Sequence, residues 1–241
     1  MNKIVYPNYR ELSIETARFI GKSVQDNPYS LLCFPAGETS IGTFNELIEL
    51  YRTGNISFKN CKIVGLDEWV NLGELKNENC YHFLKKHLLN HIDLCEENIC
   101  FFNGESGDLD FECHKTDKFI KSNNGIDLML LGAGMNGHIG LNEPGTSFNQ
   151  YSHVVELDMI TKNTGQKYFS SKVFLSLGIT LGIKHILETK TVILQVSGHK
   201  KSDIVNRLLK TEITNAFPVS ILKEHSNSFL FIDFEAAGIT I

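Results

Sequence analysis

The sequence predicts an α/β fold in three layers: an open, mostly parallel, Rossmann-like sheet with helices on both faces. Two observations carry that prediction. Short apolar runs of strand length alternate with stretches whose apolar residues recur at helical spacing. The strand runs are apolar at nearly every position, so both of their faces are expected to be covered. A length of 241 residues with no internal repeat, no low-complexity tract and no long linker fits a single domain over residues 1–241.

Taken in order, residues 30–34 form a short apolar strand that ends in a Pro-Ala-Gly turn. Ile41, Phe44, Leu47, Ile48 and Tyr51 then mark an amphipathic helix. Residues 62–66 give a second strand, stopping at Asp67-Glu68-Trp69, and Tyr81, Leu84, Leu88 and Leu89 a second helix. A strand at 98–102 and a helix at 111–120 follow. The clearest strand, 126–131, is closed by Gly132-Ala133-Gly134. After a polar loop through Asn149 come a strand near 154–157, a helix over 176–187, a strand at 191–196, a helix at 202–209 and a last strand at 229–232. The segment 158–172 is polar and is expected to be a lid.

Composition narrows the function. A hydrophobic share of 42% and a charged share of 21% suit a globular protein with a real core. A net charge of −5 argues against nucleic acid and anionic membrane as partners. No apolar stretch reaches the length of a membrane span, and Met1-Asn2-Lys3-Ile4-Val5-Tyr6-Pro7 has no apolar leader core, so a cytoplasmic location is expected. Cys33, Cys61, Cys80, Cys95, Cys100 and Cys113 include no Cys-x-x-Cys pair and read as free, mostly buried thiols.

Open sheets of this kind bind ligands at the carboxyl ends of their strands, and the unusual residues fall there. The turn Pro35-Ala36-Gly37-Glu38-Thr39-Ser40 leads from strand to helix, with Thr39 or Ser40 as the expected cap; its amides suit a phosphate, or it is a plain capped turn. Glu38 would repel a phosphate unless it points away. Asp67-Glu68 at a strand end offers a general base if one carboxyl is partly desolvated, or else a helix cap or a solvated turn. In the loop Asn136-Gly137-His138-Ile139-Gly140-Leu141-Asn142-Glu143-Pro144-Gly145, a histidine precedes a glutamate by five residues. Such a pair can shuttle protons near neutral pH, and the alternative is a packing histidine. No second histidine stands at ligand spacing, so no metal is expected. Lys201, after Ser197-Gly198-His199-Lys200, and Lys167 are candidate phosphate clamps or ordinary surface lysines.

In this order, the segments resemble the glucosamine-6-phosphate deaminase/isomerase family over nearly the whole chain. The most specific piece is the run from Asn136 to Gly145; the related 6-phosphogluconolactonases share its Gly-His step but lack the Asn-Glu-Pro. Leu66-Asp67-Glu68-Trp69-Val70, Gly178-Ile179-Thr180-Leu181-Gly182 and His225-Ser226-Asn227 look closest to the galactosamine-6-phosphate isomerase branch. The resemblance implies a small-molecule amino-sugar phosphate as substrate, no cofactor, and ammonia as a product. It makes Asp67 the base that moves a proton between C2 and C1, and His138 the group that opens the sugar ring, with Glu143 and Asn136 supporting it. It puts the substrate phosphate at Pro35, Gly37, Glu38, Thr39, Ser40, Gly137, Lys167 and Lys201. Three departures stand out: Thr39-Ser40 for Thr-Pro, Glu38 for a small residue, and Lys167 for an arginine. Asn136 stands where many members carry aspartate. A lactone hydrolase on the same fold and a non-catalytic sugar-phosphate sensor are the alternatives. The short tail after Asp233 favours a monomer or small homo-oligomer.

Overall fold

The structure, a computed structural model, describes residues 1–239. In chain order its elements are β1 (Asn2–Tyr6), α1 (Tyr9–Asp26), β2 (Leu31–Phe34), α2 (Glu38–Arg52), β3 (Lys62–Gly65), β4 (Asp67–Trp69), α3 (Cys80–His87) and β5 (Ile99–Cys100). Then come α4 (Leu109–Ser122), β6 (Leu128–Leu131), β7 (His153–Glu156), α5 (Met159–Gly165), β8 (Leu177–Thr180), α6 (Ile183–Glu188), β9 (Thr191–Val196), α7 (Ser202–Lys210) and β10 (Ser228–Asp233). Seven strands form a central sheet in the order β1-β10-β9-β6-β2-β3-β5, every neighbouring pair parallel. A second sheet, β4-β8-β7, is antiparallel.

Period-two alternation in the strands explains the three layers. Cys33, Val64, Met129, Leu131, Val192 and Leu194 join one apolar cluster, packed with Cys113 and Ile120 of α4, Ile183 and Ile186 of α6, and Ile204 and Leu208 of α7. The residues between them, Leu32, Phe34, Ile63, Leu128, Leu130 and Ile193, join the opposite cluster with Leu12 and Ile20 of α1 and Phe44 and Leu47 of α2. Each fully buried Phe or Leu in these clusters contributes roughly 1.5–3 kcal/mol. The expected covering of both faces is therefore what the sheet shows. Five of the six cysteines are buried, Cys95 being the half-exposed one, and all six are free thiols. Among the described residues no helix is long and apolar enough to cross a membrane.

Two parts of the architecture differ from the sequence expectation. Residues 176–187 are not one helix but strand β8, a break at Gly182, and the short helix α6. The β-branched Ile179 and Thr180 pair on both sides, Thr180 opposite Asp67 and His153. Gly182 then passes close against the chain: a Cβ there would stand 2.1 Å from the Gln150 carbonyl oxygen and 2.2 Å from that of Tyr151. No side chain fits. The second difference is the pair β1 and α1, which no apolar run announced. β1 lies at the sheet edge with three of five residues exposed, and α1 starts where the Asn8 side chain accepts from the Glu11 amide at 3.0 Å.

Gly182→Ala is expected to lower the free energy of unfolding by at least about 2 kcal/mol, because backbone and not a flexible side chain blocks the new methyl. Urea denaturation of the two proteins checks this; equal midpoints would contradict the crowding described here.

Candidate active site

The parallel strands β2, β3, β6 and β9 deliver their carboxyl ends to one edge of the sheet, and the predicted residues follow directly from them. After β2, Pro35 leads to Gly37, which caps α2 in an extended conformation with no side-chain cap bond. The helix therefore starts earlier than expected, and neither Thr39 nor Ser40 is its cap. Ser40 lies in the first turn, where its hydroxyl reaches back to the Gly37 carbonyl at 2.7 Å. The amides of Glu38 and Thr39 come before the helical ladder, as the first amides of any helix do, whereas that of Ser40 donates to the Gly37 carbonyl at 3.2 Å. Tyr9 steadies this turn: its hydroxyl donates toward the Thr39 carbonyl at 3.1 Å and accepts from the Gly42 amide at 2.8 Å.

After β3 the chain passes Leu66 and enters β4, so Asp67 sits in a strand and not in a loop. Asp67 is half-buried and Glu68 fully buried. The Glu68 carboxylate accepts from the amides of Trp69 at 2.8 Å, Cys80 at 2.9 Å and Tyr81 at 3.1 Å. It thus ties β4 to the first turn of α3 and faces away from solvent, which leaves Asp67 as the carboxyl toward the site. Burial pushes Asp67 up from the ordinary 3.8 to about 6, partly offset by the charge of His138 and a hydrogen bond from the Cys80 thiol. Burial also raises Glu68 to about 7 against its three amide donors. Cys80 stays a protonated donor, its thiol driven well up by burial and by the two carboxylates.

After β6, the glycine-rich loop carries the histidine. His138 Nδ1 lies 3.5 Å from Glu143 Oε2 and 3.0 Å from the Thr161 hydroxyl. Asn136 donates through Nδ2 to the same Glu143 oxygen at 2.8 Å, while its Oδ1 accepts from the His138 amide at 3.2 Å. The other Glu143 oxygen accepts from the Asp158 amide at 3.2 Å. Burial alone would raise Glu143; the bond and charge of His138, with Thr161 and Asn136, hold its carboxyl below the usual range instead. The imidazole lies over Gly134, where any Cβ would come within 2.3 Å of Cε1 and Nε2. Gly137 closes the turn, donating to the Gly134 carbonyl at 3.0 Å and accepting from the Val219 amide at 2.9 Å.

After β9, Lys201 reaches into the same loop and donates to the Ala133 carbonyl at 2.6 Å. Burial lowers its pKa, and the charge of Lys167 lowers it further. Asp233, buried at the end of β10, shapes this approach by accepting from the Gly198 amide at 3.1 Å and from the Ser197 hydroxyl. Lys167 itself is paired with Glu38 at 2.5 Å. Its segment, 158–172, forms α5 and a 3₁₀ turn, and is fastened by Phe169 edge-on to Trp69 at 6.1 Å between ring centroids.

The structure thus brings Asp67, His138, Glu143, Asn136, Gly137 and Lys201 to one edge, beside the turn of Pro35, Gly37, Glu38, Thr39 and Ser40. Sequence reasoning missed Thr161, Cys80 and Asp233. Asp233 at a strand end was open to the same strand-end logic; Thr161 and Cys80 carry no local signal and are found only by long-range contact. Among the described residues no group of three or more His, Cys, Asp or Glu side chains is placed to hold a metal ion.

Comparison with known proteins points the same way. The family model described as glucosamine-6-phosphate isomerases/6-phosphogluconolactonase matches residues 9–231. A glucosamine-6-phosphate deaminase of Bacillus pumilus is 42% identical over 241 residues, covering 99% of this chain and 100% of that one. One from Clostridium novyi is 37% identical over 99% of both chains. Among solved structures, a monomeric glucosamine-6-phosphate deaminase superposes with a TM-score of 0.94 at 37% identity, covering 100% of each chain. The 6-phosphogluconolactonase of Trypanosoma brucei, at 16% identity, TM-score 0.74 and 98% and 97% coverage, shares the fold.

The raised pKa of Asp67 is a stability statement. Its folded value lies above its unfolded one, so the ionised carboxyl costs stability above about pH 6, and that cost fades as pH falls toward 4. Asp67→Asn is therefore expected to raise the melting temperature by about 3–6 °C at pH 8, with a smaller gain at pH 5. Thermal unfolding at the two pH values checks it; a loss of stability at pH 8 would contradict it.

Proposed function

The chain belongs to the glucosamine-6-phosphate isomerase/6-phosphogluconolactonase family, and from that premise we propose that it is an amino-sugar-6-phosphate deaminase. In this reading it converts glucosamine 6-phosphate to fructose 6-phosphate and releases ammonia. The observation that carries the reading is the meeting of two proton-handling groups. Asp67, half-buried with a raised pKa, feels the charge of His138, whose Nδ1 is engaged by Glu143 and Thr161.

The chemistry follows from those positions. With Nδ1 donating to Glu143, the remaining nitrogen of His138 accepts the C1 hydroxyl proton and passes it to the ring oxygen, giving the open-chain aldehyde. Asp67 takes the C2 proton and returns it to C1, so that an enolamine becomes a 2-imine. Water adds at C2, the C–N bond breaks, and ammonia leaves with the ketose phosphate. Cys80 and the nearby imidazole keep Asp67 from rising further, so it stays ionised at neutral pH yet basic enough to abstract a proton. Asn136 cannot share charge as a carboxylate would; it orients Glu143 and the His138 backbone instead. Lys201 and the α2 amides hold the phosphate, Gly137 shapes the loop beside it, and residues 158–172 serve as a lid on a single domain.

The relatives' names support the gluco epimer as substrate, while the segments around Asp67 and Thr180 gave the sequence its likeness to the galactosamine branch. The two sugars differ only at C4. A monomer is supported by the likeness to the monomeric deaminase, and a cytoplasmic location suits an enzyme with buried free thiols.

Ammonia release, measured with each amino-sugar phosphate, tests the reading. Turnover of glucosamine 6-phosphate with the greater kcat/KM is expected. Hydrolysis of a 6-phosphosugar lactone without ammonia would install the lactonase instead, and binding without turnover would leave a sensor. Because the base must be ionised, kcat/KM is expected to fall on the acid side with a midpoint near the Asp67 value of about 6. Asp67→Asn is expected to lose about 1,000-fold or more in kcat, with substrate affinity within about threefold of the unmodified protein. Near-normal turnover by that variant would remove Asp67 from its assigned role.

A further inference from the structure

The pair between Glu38 and Lys167 joins the β2–α2 turn to the segment that follows α5. Glu38 is the first residue of α2, beside the amides that face a phosphate; Lys167 lies 129 positions away on the 3₁₀ turn after α5. Their charged atoms stand 2.5 Å apart, with the Lys167 side chain 49% exposed and that of Glu38 63% exposed. Lys167 also sits over the Tyr168 ring, 4.9 Å from its centroid, and its charge is felt by Lys201. One of the two ammonium groups at the phosphate end is therefore already engaged by a carboxylate of the same chain.

A carboxylate and a phosphate present the same kind of anionic oxygen to an ammonium group and compete for it. A phosphate lodged on the α2 amides would also lie beside the Glu38 charge and be repelled by it. We propose that Glu38 is an internal stand-in for the phosphate group on Lys167, an inhibitory contact that an incoming phosphate monoester displaces and that sets the affinity of the site. This rests on the deaminase reading above, which puts the phosphate at these residues. An exposed pair of this kind is weak, so the exchange is easy, and a rotation of the Glu38 side chain into solvent completes it. It also gives the two departures from the family pattern a joint meaning: the extra carboxylate and the lysine are each other's partners. Lys167 is then largely masked in the free protein, and its contribution to phosphate binding depends on whether Glu38 is charged.

The test is a double-mutant cycle with Glu38→Gln, Lys167→Met and the combination, reading the inhibition constant of inorganic phosphate and the KM for glucosamine 6-phosphate. Glu38→Gln is expected to tighten both by about three- to tenfold at low salt, with the gain shrinking at about 0.5 M salt. Lys167→Met should weaken phosphate binding by about twofold in the native background and about tenfold in the Glu38→Gln background. Glu38→Ser, which shortens the side chain as well, should tighten binding in the same direction. Unchanged or weaker phosphate binding in both Glu38 variants, or strictly additive effects, would overturn the proposal while leaving the deaminase assignment standing. A native protein that binds neither phosphate nor the sugar phosphate would overturn both.

Discussion

Thr180 and Leu181 hold the two halves of the site together. The Leu181 amide donates to the Leu66 carbonyl at 2.8 Å, immediately before Asp67, and the Leu181 carbonyl accepts from Asn142 at 2.8 Å in the glycine-rich loop. The Thr180 hydroxyl donates toward the Leu66 carbonyl at 3.3 Å and accepts from the Leu141 amide at 3.2 Å. Thr180, the last residue of β8, and Leu181 just after it therefore connect the strand that bears Asp67 to the loop that bears His138. Without that join, the ends of β3 and β6 would only be neighbours across β2. The break at Gly182 follows at once, and the chain can turn away there because the Gln150 and Tyr151 backbone presses against it.

Around that join the protein keeps several charged groups away from water, and each is compensated in a different way. Glu68 has three amide donors, Glu143 has His138, Asn136 and the Asp158 amide, and Asp233 holds the turn that leads to Lys201. Asp67 has less: a thiol and a nearby imidazole. A carboxylate with few donors in a partly desolvated place is a stronger base than one fully solvated; Glu68 is raised too, to about 7, but its oxygens are held by three amides, and this asymmetry in donors separates Asp67 from it. The same asymmetry makes it a cost to folding, carried by the two large apolar clusters on either side of the sheet.

The central sheet, apart from its edge strand β1, was legible because its inner strands are buried on both faces; the run from Leu128 to Leu131 needs no alternation to be read. The helices α2 and α3 were legible from apolar spacing, and α4 and α7 were expected close to their observed ranges. Of the second sheet only β7 was legible, as the strand expected near 154–157, since β4 has three residues and β8 contains a glycine within an apolar run that also fits a helix. At the site, Asp67, His138, Glu143, Asn136 and Lys201 could be read as residue types at strand ends. Their partners could not. Thr161 meets His138 from 23 residues away, and Thr180 meets Leu66 from 114, distances over which a linear pattern holds no record of contact. The Glu38 departure was visible in the sequence as an awkward charge; only the fold supplied its partner.

Carboxylates and ammonium groups share this edge of the sheet, and one carboxylate, that of Glu38, is paired with Lys167. Asp67 and Glu143 stand with His138, whereas Lys201 donates to the Ala133 carbonyl where the His138 loop begins. Such an arrangement gives the mouth of the site an uneven electric field. A small molecule with an ammonium at one end and a phosphate at the other experiences a torque before any contact forms, and approaches already aligned. An uncharged sugar of the same shape experiences none.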